Sequence, residues 1–533
     1  MSGAFDYIVV GAGSAGCVTA GRLVGEHGAR VLLLEQGPGD SHAVIRMPAG
    51  SFKMLFAPSP FVKHYASVPQ SELAGRSVSV PQGNVVGGGS SVNVMAYTRG
   101  SRLDYQRWDE ALGGGSGWDW EGLLPYFRRQ EGHVRLDNVA HGGSGPLKVR
   151  DPNYLAPIAG VFLKTMQRLG LPFRDDFAGG DLHGIGYIPT TIDGAKRCSA
   201  ADAFLRPVQG DARLTLVCKA QVTRLLLEGS RVIGVEYAEG GKLHRATASA
   251  EVVLAAGAFA TPKLLMLSGI GPADHLREHG IAVAADLPGV GQNLQDHNVT
   301  FLTAETRGNY GYYRADKGRN LVRNLLHYGL FGGGPIASNG AETMGFVNLT
   351  DPSADPDIQL YCLGVMWPGL AAEQQKPGLT LMANLVKPLS RGAVRLRSAD
   401  PAEDPLVDLG WLRDTSDEDR LLRALRYLRE IAATDPLASI ISAPRLPDPQ
   451  VTDDAGLRAF IRSSTESNYH PVGTCRMGRD GDPMAVLDAR LRLRGIEGLR
   501  VFDASMMPVI PSANTNATVM AAADKGVDLM MSG

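Results

Sequence analysis

Several things this sequence lacks narrow what it can be. It has no excess of either charge: 53 Lys and Arg stand against 55 Asp and Glu. No basic surface advertises nucleic acid, and no polybasic run advertises an anionic membrane. No apolar stretch reaches the roughly 20 residues of a membrane span. The opening Met1-Ser2-Gly3-Ala4-Phe5-Asp6 has no basic segment followed by an apolar run and a cleavage site, so no secretory signal is expected. Cysteines are few and odd in number (Cys17, Cys198, Cys218, Cys362, Cys475), and none share a CxxC spacing. That excludes a disulfide scaffold and fits a reducing compartment. Without GxSxG, HExxH or CxxC there is no sign of a hydrolase elbow or a metal site, and no metal is expected. No internal repeat is present.

Glycine, by contrast, is abundant, with 65 residues of 533, well above the usual ~7%. The glycines are clustered, and clusters mark places where backbone turns sharply or lies close to a ligand. The first cluster follows the apolar run Tyr7-Ile8-Val9-Val10, which reads as a buried parallel strand. It is Gly11-Ala12-Gly13-Ser14-Ala15-Gly16, followed by a helical pattern and a second strand, Val31-Leu32-Leu33-Leu34, ending in Glu35. Gly11 permits the tight turn, Gly13 admits a pyrophosphate, and Gly16 lets the helix pack close. The helix N-terminus offers free N–H groups to phosphates. Glu35, 19 positions after Gly16, can accept hydrogen bonds from a ribose diol. A dinucleotide site is expected here, and the fingerprint alone does not separate FAD from NAD.

A second loop carries Gly87-Gly88-Gly89-Ser90-Ser91. Further motifs follow at 257–271, at Pro288-Gly289-Val290-Gly291-Gln292-Asn293-Leu294-Gln295-Asp296-His297, at Tyr469-His470-Pro471-Val472-Gly473-Thr474, at Asp503-Ala504-Ser505 and at Asn514-Thr515-Asn516. In this order they closely resemble the signatures of the glucose–methanol–choline (GMC) oxidoreductases, from about residue 5 to about 530. Within the family the chain resembles most the branch of bacterial sorbose dehydrogenases, polyethylene glycol dehydrogenases and hydroxymethylfurfural oxidases, with segments 334–339 and 390–398 similar to the sorbose dehydrogenases in particular.

The resemblance implies FAD rather than NAD. It implies cofactor contacts from Gly11, Gly13, Ser14, Ala15, Gly16, Glu35 and Gln36 in the first loop. In the second loop it implies Val86, Gly88, Ser90, Asn93, Val94, Met95 and Ala96. Val222 is expected to meet the adenine through its backbone. Ala256, Gly257, Asp503, Ala504, Asn514 and Thr515 complete the set. Some family members attach FAD through a histidine in the triple-glycine loop; the matching residue here is Val92, so FAD is expected to be non-covalent.

The implied fold is α/β (α+β overall). A Rossmann-like FAD-binding domain is built from 1–40, 75–149, 196–304 and 456–533. An antiparallel-sheet substrate domain is interleaved with it, from 41–74, 150–195 and 305–455. Within the latter, 393–397 alternates like a half-exposed strand, and 417–433 reads as a helix whose charges form a solvated face.

Oxidising an alcohol removes a hydride from carbon and a proton from oxygen. A flavin takes the hydride, and the proton needs a base, a task that suits histidine. Of twelve histidines, His470 matches the family's catalytic one. His297 sits in a motif but reads as a turn or helix-capping residue. The partner position, Asn514, holds an amide, which can position an oxygen but cannot act as a base. The helix after Asn516 is expected to aim its N-terminus at the flavin. Tyr65, Trp367, Asn468 and Tyr469 join His470 and Asn514 as expected substrate contacts. The expected partners are a small-molecule alcohol, primary or secondary, sugar or polyol included, and an electron acceptor (quinone, dye or dioxygen). A bacterial cytoplasmic location is expected, with peripheral membrane association left open. An alcohol dehydrogenase, an oxygen-using oxidase and a hydroxynitrile lyase of the same family remain alternatives.

Overall fold

Two sheets organise the chain. A computed structural model describes residues 5–367 and 376–532. The first sheet has at its centre Phe5–Val10, flanked by Val31–Glu35 and Lys242–Leu254. Leu214–Cys218, Val31–Glu35, Phe5–Val10, the end of Lys242–Leu254 and Leu499–Val501 run parallel. Buried on both faces, these strands read as unbroken β-branched and leucine runs rather than as alternations. The first half of Lys242–Leu254 leaves the parallel layer and pairs antiparallel with Arg231–Glu239, which pairs with Ala220–Glu228. The helices Ser14–Gly25 and Asn516–Met531 pack against one another on this sheet. A buried ion pair, Arg22 Nη1 to Asp524 Oδ1 at 2.5 Å, joins these two ends of the chain.

The second sheet is antiparallel throughout, in the order Ile441–Leu446, Asn298–Thr306, Gly378–Leu385, Ile358–Leu363, Thr343–Val347, Gly184–Tyr187. Glu466–Ser467 pairs with the first part of Asn298–Thr306. The boundary expected at 304 falls inside this strand, whose hydrogen bonds go to the second sheet along its length. Side chains alternate between its faces. Leu360, Cys362, Leu381 and Leu385 point to an outer core under the helix Thr415–Ala433. Phe301, Met344, Tyr361, Leu363 and Met382 point the other way, toward the first sheet.

Two expectations need correction. The helix Thr415–Ala433 forms, but its first charges are not on a solvated face: Asp417 is fully buried and accepts the backbone N–H groups of Leu389 and Ser390. Glu418 is buried beneath Arg458 and Arg462. The helix start is wedged against the chain leaving the second sheet, where Asp417 satisfies backbone donors that would otherwise be buried without a partner, while Glu418 is balanced by two partly exposed arginines. The strand expected at 393–397 is shorter, Ala393–Arg395, and pairs only with Leu406–Asp408 in a separate ribbon.

Candidate active site between the two sheets

A cavity of about 380 Å³ lies between the sheets and has two chemically different ends. At the first end the wall is backbone. Gly11, with φ +98°, turns the chain from strand into helix, and a Cβ at Gly16 would lie 1.9 Å from the Gly11 carbonyl oxygen. Only glycine lets the helix start so close to the strand. Likewise a Cβ on Gly88 would meet the Gly13 Cα at 2.6 Å, so the two glycine loops touch.

Three helices begin at this wall, none capped by the side chain of its own N-cap residue: Ser14–Gly25, Gly257–Leu267 and Asn516–Met531. Their first N–H groups and partial positive charges converge on the cavity. Ser14 Oγ donates to Asn516 Oδ1 at 2.7 Å and ties two of the starts together. Asp503 holds the third, accepting from the Gly257 N–H at 2.9 Å and the Thr261 hydroxyl at 2.6 Å. Glu35 accepts N–H bonds from Ala12 and Gly37, each at 2.8 Å, while lining the cavity. Burial raises its pKa, opposed by those bonds.

At the other end the wall is made of side chains. Thr98 Oγ1 (3.3 Å), Tyr361 Oη (3.3 Å) and Gln359 Nε2 (3.4 Å) converge on Asn514 Oδ1. This sets the amide's orientation, and its Nδ2 faces His470 Nε2 at 3.4 Å. An amide nitrogen only donates, so His470 Nε2 presents a lone pair. The proton of a neutral His470 then sits on Nδ1, which lies 3.0 Å from His297 Nδ1. Those two nitrogens cannot both carry protons. His297 therefore accepts there and carries its own proton on Nε2, which is buried near the Pro511 and Val386 carbonyls but in hydrogen-bond geometry with neither.

Loss of hydration pushes the pKa of His470 down to about 4 and that of His297 well below its ordinary value, the latter also through the charge of His470. Both rings are thus neutral at ordinary pH. The His470 loop is anchored from below. Asp296 accepts the His470 N–H at 2.8 Å and the Ser467 hydroxyl at 2.5 Å, and Ser467 Oγ accepts the Tyr469 N–H at 2.7 Å. Burial raises the pKa of Asp296 to about 7 against these bonds.

Outward from Asn514 the second sheet changes character along one strand, from Gln359 through Tyr361 to Leu363. Met382 and Trp367 lie beside it, and Phe56 meets Trp367 with ring centroids 5.5 Å apart.

Most sequence-predicted residues line this cavity. From the first loop these are Gly11, Gly13, Ser14, Ala15, Glu35 and Gln36; from the second, Gly88, Asn93, Val94, Met95 and Ala96. Val222, Ala256, Gly257, Asp503, Ala504, Asn514 and Thr515 line it too, as do Tyr65, Trp367, Asn468, Tyr469 and His470. Three predicted contacts do not. Gly16 is behind Gly11. Val86 is in the core, its N–H bonded to the Pro38 carbonyl. Ser90 Oγ donates to the Gly87 carbonyl and accepts the Ala200 N–H, so its hydroxyl is used to hold the loop. His297 is a further correction: it is fully buried with its ring against His470, not a turn or cap. Thr98, Gln359, Tyr361, Asp296 and Ser467 were not singled out from sequence. Only Asp296 carried a signal, standing beside His297 in a motif.

The fold and cavity define a dinucleotide-cofactor enzyme whose second half is built around a pair of neutral histidines. Comparison with known proteins makes the family explicit. Two family profiles, both described as GMC oxidoreductase, match residues 5–299 and 388–523, and the chain belongs to this family. Human mitochondrial choline dehydrogenase is 38% identical over 535 residues, covering 99% of this chain and 89% of that protein. The alcohol dehydrogenase [acceptor] of Pseudomonas putida is 38% identical over 538 residues, covering 99% and 96%. Among solved structures, pyridoxine 4-oxidase from Mesorbium loti has a TM-score of 0.88 at 32% identity, covering 98% of both chains. A formate oxidase of Aspergillus oryzae reaches 0.91 at 26% identity, covering 100% and 99%.

The protein is accordingly an FAD-dependent oxidoreductase acting on CH–OH groups. The cavity fits that cofactor. Its glycine wall admits a pyrophosphate, the open starts of Ser14–Gly25 and Asn516–Met531 suit an anion, and Glu35 has lone pairs left for a ribose.

Proposed function

We propose that the protein oxidises an uncharged alcohol with an apolar body to the aldehyde or ketone, with His470 as the base. The observation that carries this is the lone pair of His470 Nε2, facing the cavity beside the donating Asn514 amide at 3.4 Å. A substrate oxygen set off the line between the two nitrogens, on the cavity side, can accept from Asn514 and donate to His470. FAD, when bound, supplies the hydride acceptor. The residues do the rest. Asn514 holds the oxygen, His470 takes its proton at Nε2, and His297 keeps the other His470 proton on Nδ1. Asp296 and Ser467 hold the loop. As His470 becomes cationic during proton transfer, the apolar wall around it keeps water out.

The same wall supports the substrate class. Phe52, Leu55, Phe56, Leu363, Trp367 and Met382 line the cavity, while its described carboxylates, Glu35 and Asp503, belong to the nucleotide end. A sugar would leave hydroxyls unpaired against this surface, and a cationic alcohol would find aromatic faces but no described carboxylate. Asn468 Nδ2, buried without a protein partner, is one further donor. Val92 packs in an apolar cluster with Ile45, Met54 and Val85, which supports a non-covalent cofactor.

We propose the two-domain division accordingly. Segments 1–40, 75–149, 196–297 and most of 456–533 bind FAD, and the remainder, with Asn298–Thr306 and Glu466–Ser467, forms the substrate side. Anaerobic rapid mixing tests the reading. Benzylic and medium-chain alcohols should bleach the flavin faster than choline or sugars. Bleaching by choline alone would overturn the substrate class, and bleaching by no alcohol would overturn the function.

A further inference from the structure

The helix Gly318–Phe331 is turned inside out. Of the thirteen large apolar side chains exposed among the described residues, five are on this one helix: Val322 (58%), Leu325 (45%), Leu326 (59%), Leu330 (74%) and Phe331 (75%). Val322, Leu326 and Leu330 are four apart and so form one stripe. The side facing the protein carries the half-buried Leu321 and is otherwise polar. Asn324 is the buried residue of the helix and donates to the Ala315 carbonyl at 2.9 Å, and Tyr328 donates to the Ala195 carbonyl at 2.8 Å. An ordinary surface helix does the reverse.

Cations surround the stripe. Arg314, Lys317, Arg319 and Arg323 are all exposed, with Asp316 the one acid among them. None of these four cations forms an ion pair among the described residues, although most exposed arginines elsewhere do. They are spread over ten residues and interleaved with apolar ones, which is why composition showed no polybasic run. No helix among the described residues is long and apolar enough to cross a membrane. A short helix with leucines and a phenylalanine on its open face and unpaired cations beside them has the character of one that lies in a lipid interface.

The geometry points to an anionic lipid bilayer as the occupant of this face: Gly318–Phe331 lays Val322, Leu326, Leu330 and Phe331 into the headgroup boundary while Arg314, Lys317, Arg319 and Arg323 meet lipid phosphates. A protein partner would explain the leucines equally well. The ring of uncompensated positive charge favours a phosphate surface. The helix also connects to the cavity. The turn that follows it accepts a hydrogen bond at the Ile336 carbonyl from the Ala49 N–H, at 3.1 Å. Ala49 begins the segment that puts Phe52, Leu55 and the half-exposed Phe56 on the cavity wall. A bilayer held here would lie against elements that carry part of the cavity wall, which suits an apolar alcohol or a lipid-soluble acceptor.

The test uses FAD-loaded protein and sucrose-loaded vesicles, either of phosphatidylcholine alone or with a third phosphatidylglycerol, at low salt. The yellow protein should sediment with the anionic vesicles and remain in solution with the neutral ones. The double variants Leu326→Glu/Leu330→Glu and Arg319→Ser/Arg323→Ser should each weaken binding by about tenfold or more. Both should keep full flavin content and full dye-linked alcohol oxidation in solution, since these residues are exposed and line no part of the cavity. Protein that stays in solution with anionic vesicles would overturn the proposal, as would binding unchanged by both double variants. Self-association that Leu326→Glu/Leu330→Glu abolishes, with no vesicle binding, would overturn it too and assign the face to contact between copies.

Discussion

The two ends of the cavity are built from different material. The nucleotide end is mostly backbone: Gly11, Gly13 and Gly88 in close approach, with three helix starts, of which only Gly257–Leu267 gives its first N–H to a carboxylate, Asp503. The catalytic end is side chain: His470, His297, Asn514, Tyr361 and Gln359, brought together from segments far apart in the chain. A backbone site depends on the absence of atoms, so one added methyl group disrupts it. A side-chain site depends on an ordered set of donors and acceptors, so it fails step by step as members are removed.

The sharpest way to break this comparison is Gly16→Ala. Its Cβ would stand 1.9 Å from the Gly11 carbonyl oxygen, so either the helix or the turn must move. The expected result is protein purified without flavin, or none that folds. Flavin content of the purified variant, with circular dichroism as the control, reads it; full yellow colour would show that the cradle is not built as described.

His470→Ala should do the opposite, retaining FAD while the rate of flavin reduction falls by on the order of 10² to 10⁴. Near-normal reduction would remove His470 from the chemistry. Asn514→Ala removes one positioning bond and leaves the base. About 1–3 kcal/mol of transition-state stabilisation is expected to go, or roughly 5- to 150-fold in rate. Asn514→His should retain measurable activity if a second imidazole can hold the oxygen.

The pH dependence is gentler. The competent base is neutral His470, whose pKa in the folded protein is about 4. The reduction rate should therefore be level through neutrality and fall only as pH drops through about 4. Stability follows the same sign. A histidine depressed below its ordinary 6.5 contributes stability that is complete above 6.5 and is lost as pH falls toward 4. His297 acts in the same direction. A rate that still climbs between pH 6 and pH 8 would mean that the ring is better hydrated than its burial indicates. The smallest effect is on the cofactor bond. Heat or acid should release FAD into the supernatant because Val92 cannot hold it; flavin precipitating with the protein would contradict this.

The legibility of the molecule divides along the same line. The first loop was readable because a strand, Gly11-Ala12-Gly13-Ser14-Ala15-Gly16, a helix and Glu35 follow one another within one stretch of chain. His470 and Asn514 were readable through a resemblance that covers the whole chain. His297 was not. Its motif was recognised, but the ring contact with His470 spans 173 residues and exists only because Asn298–Thr306 pairs with Glu466–Ser467. Tyr361 and Gln359 had no motif at all; their side of the strand was decided by the register of Ile358–Leu363 against Gly378–Leu385. The burial of Asp417 and the inverted face of Gly318–Phe331 likewise depended on what those helices meet.

By itself, then, the sequence determined the parts whose physics is local. A tight turn needs glycine, a parallel strand needs an apolar run, and a helix start offers N–H groups wherever it stands. Only the tertiary structure decided which nitrogen of His470 is open to the cavity, because the three donors on Asn514 Oδ1 come from two segments, Thr98 and the strand Ile358–Leu363, both far from it in the chain. The same is true of its acidity, since burial is a property of the assembled cavity and displaces an ordinary imidazole to about 4.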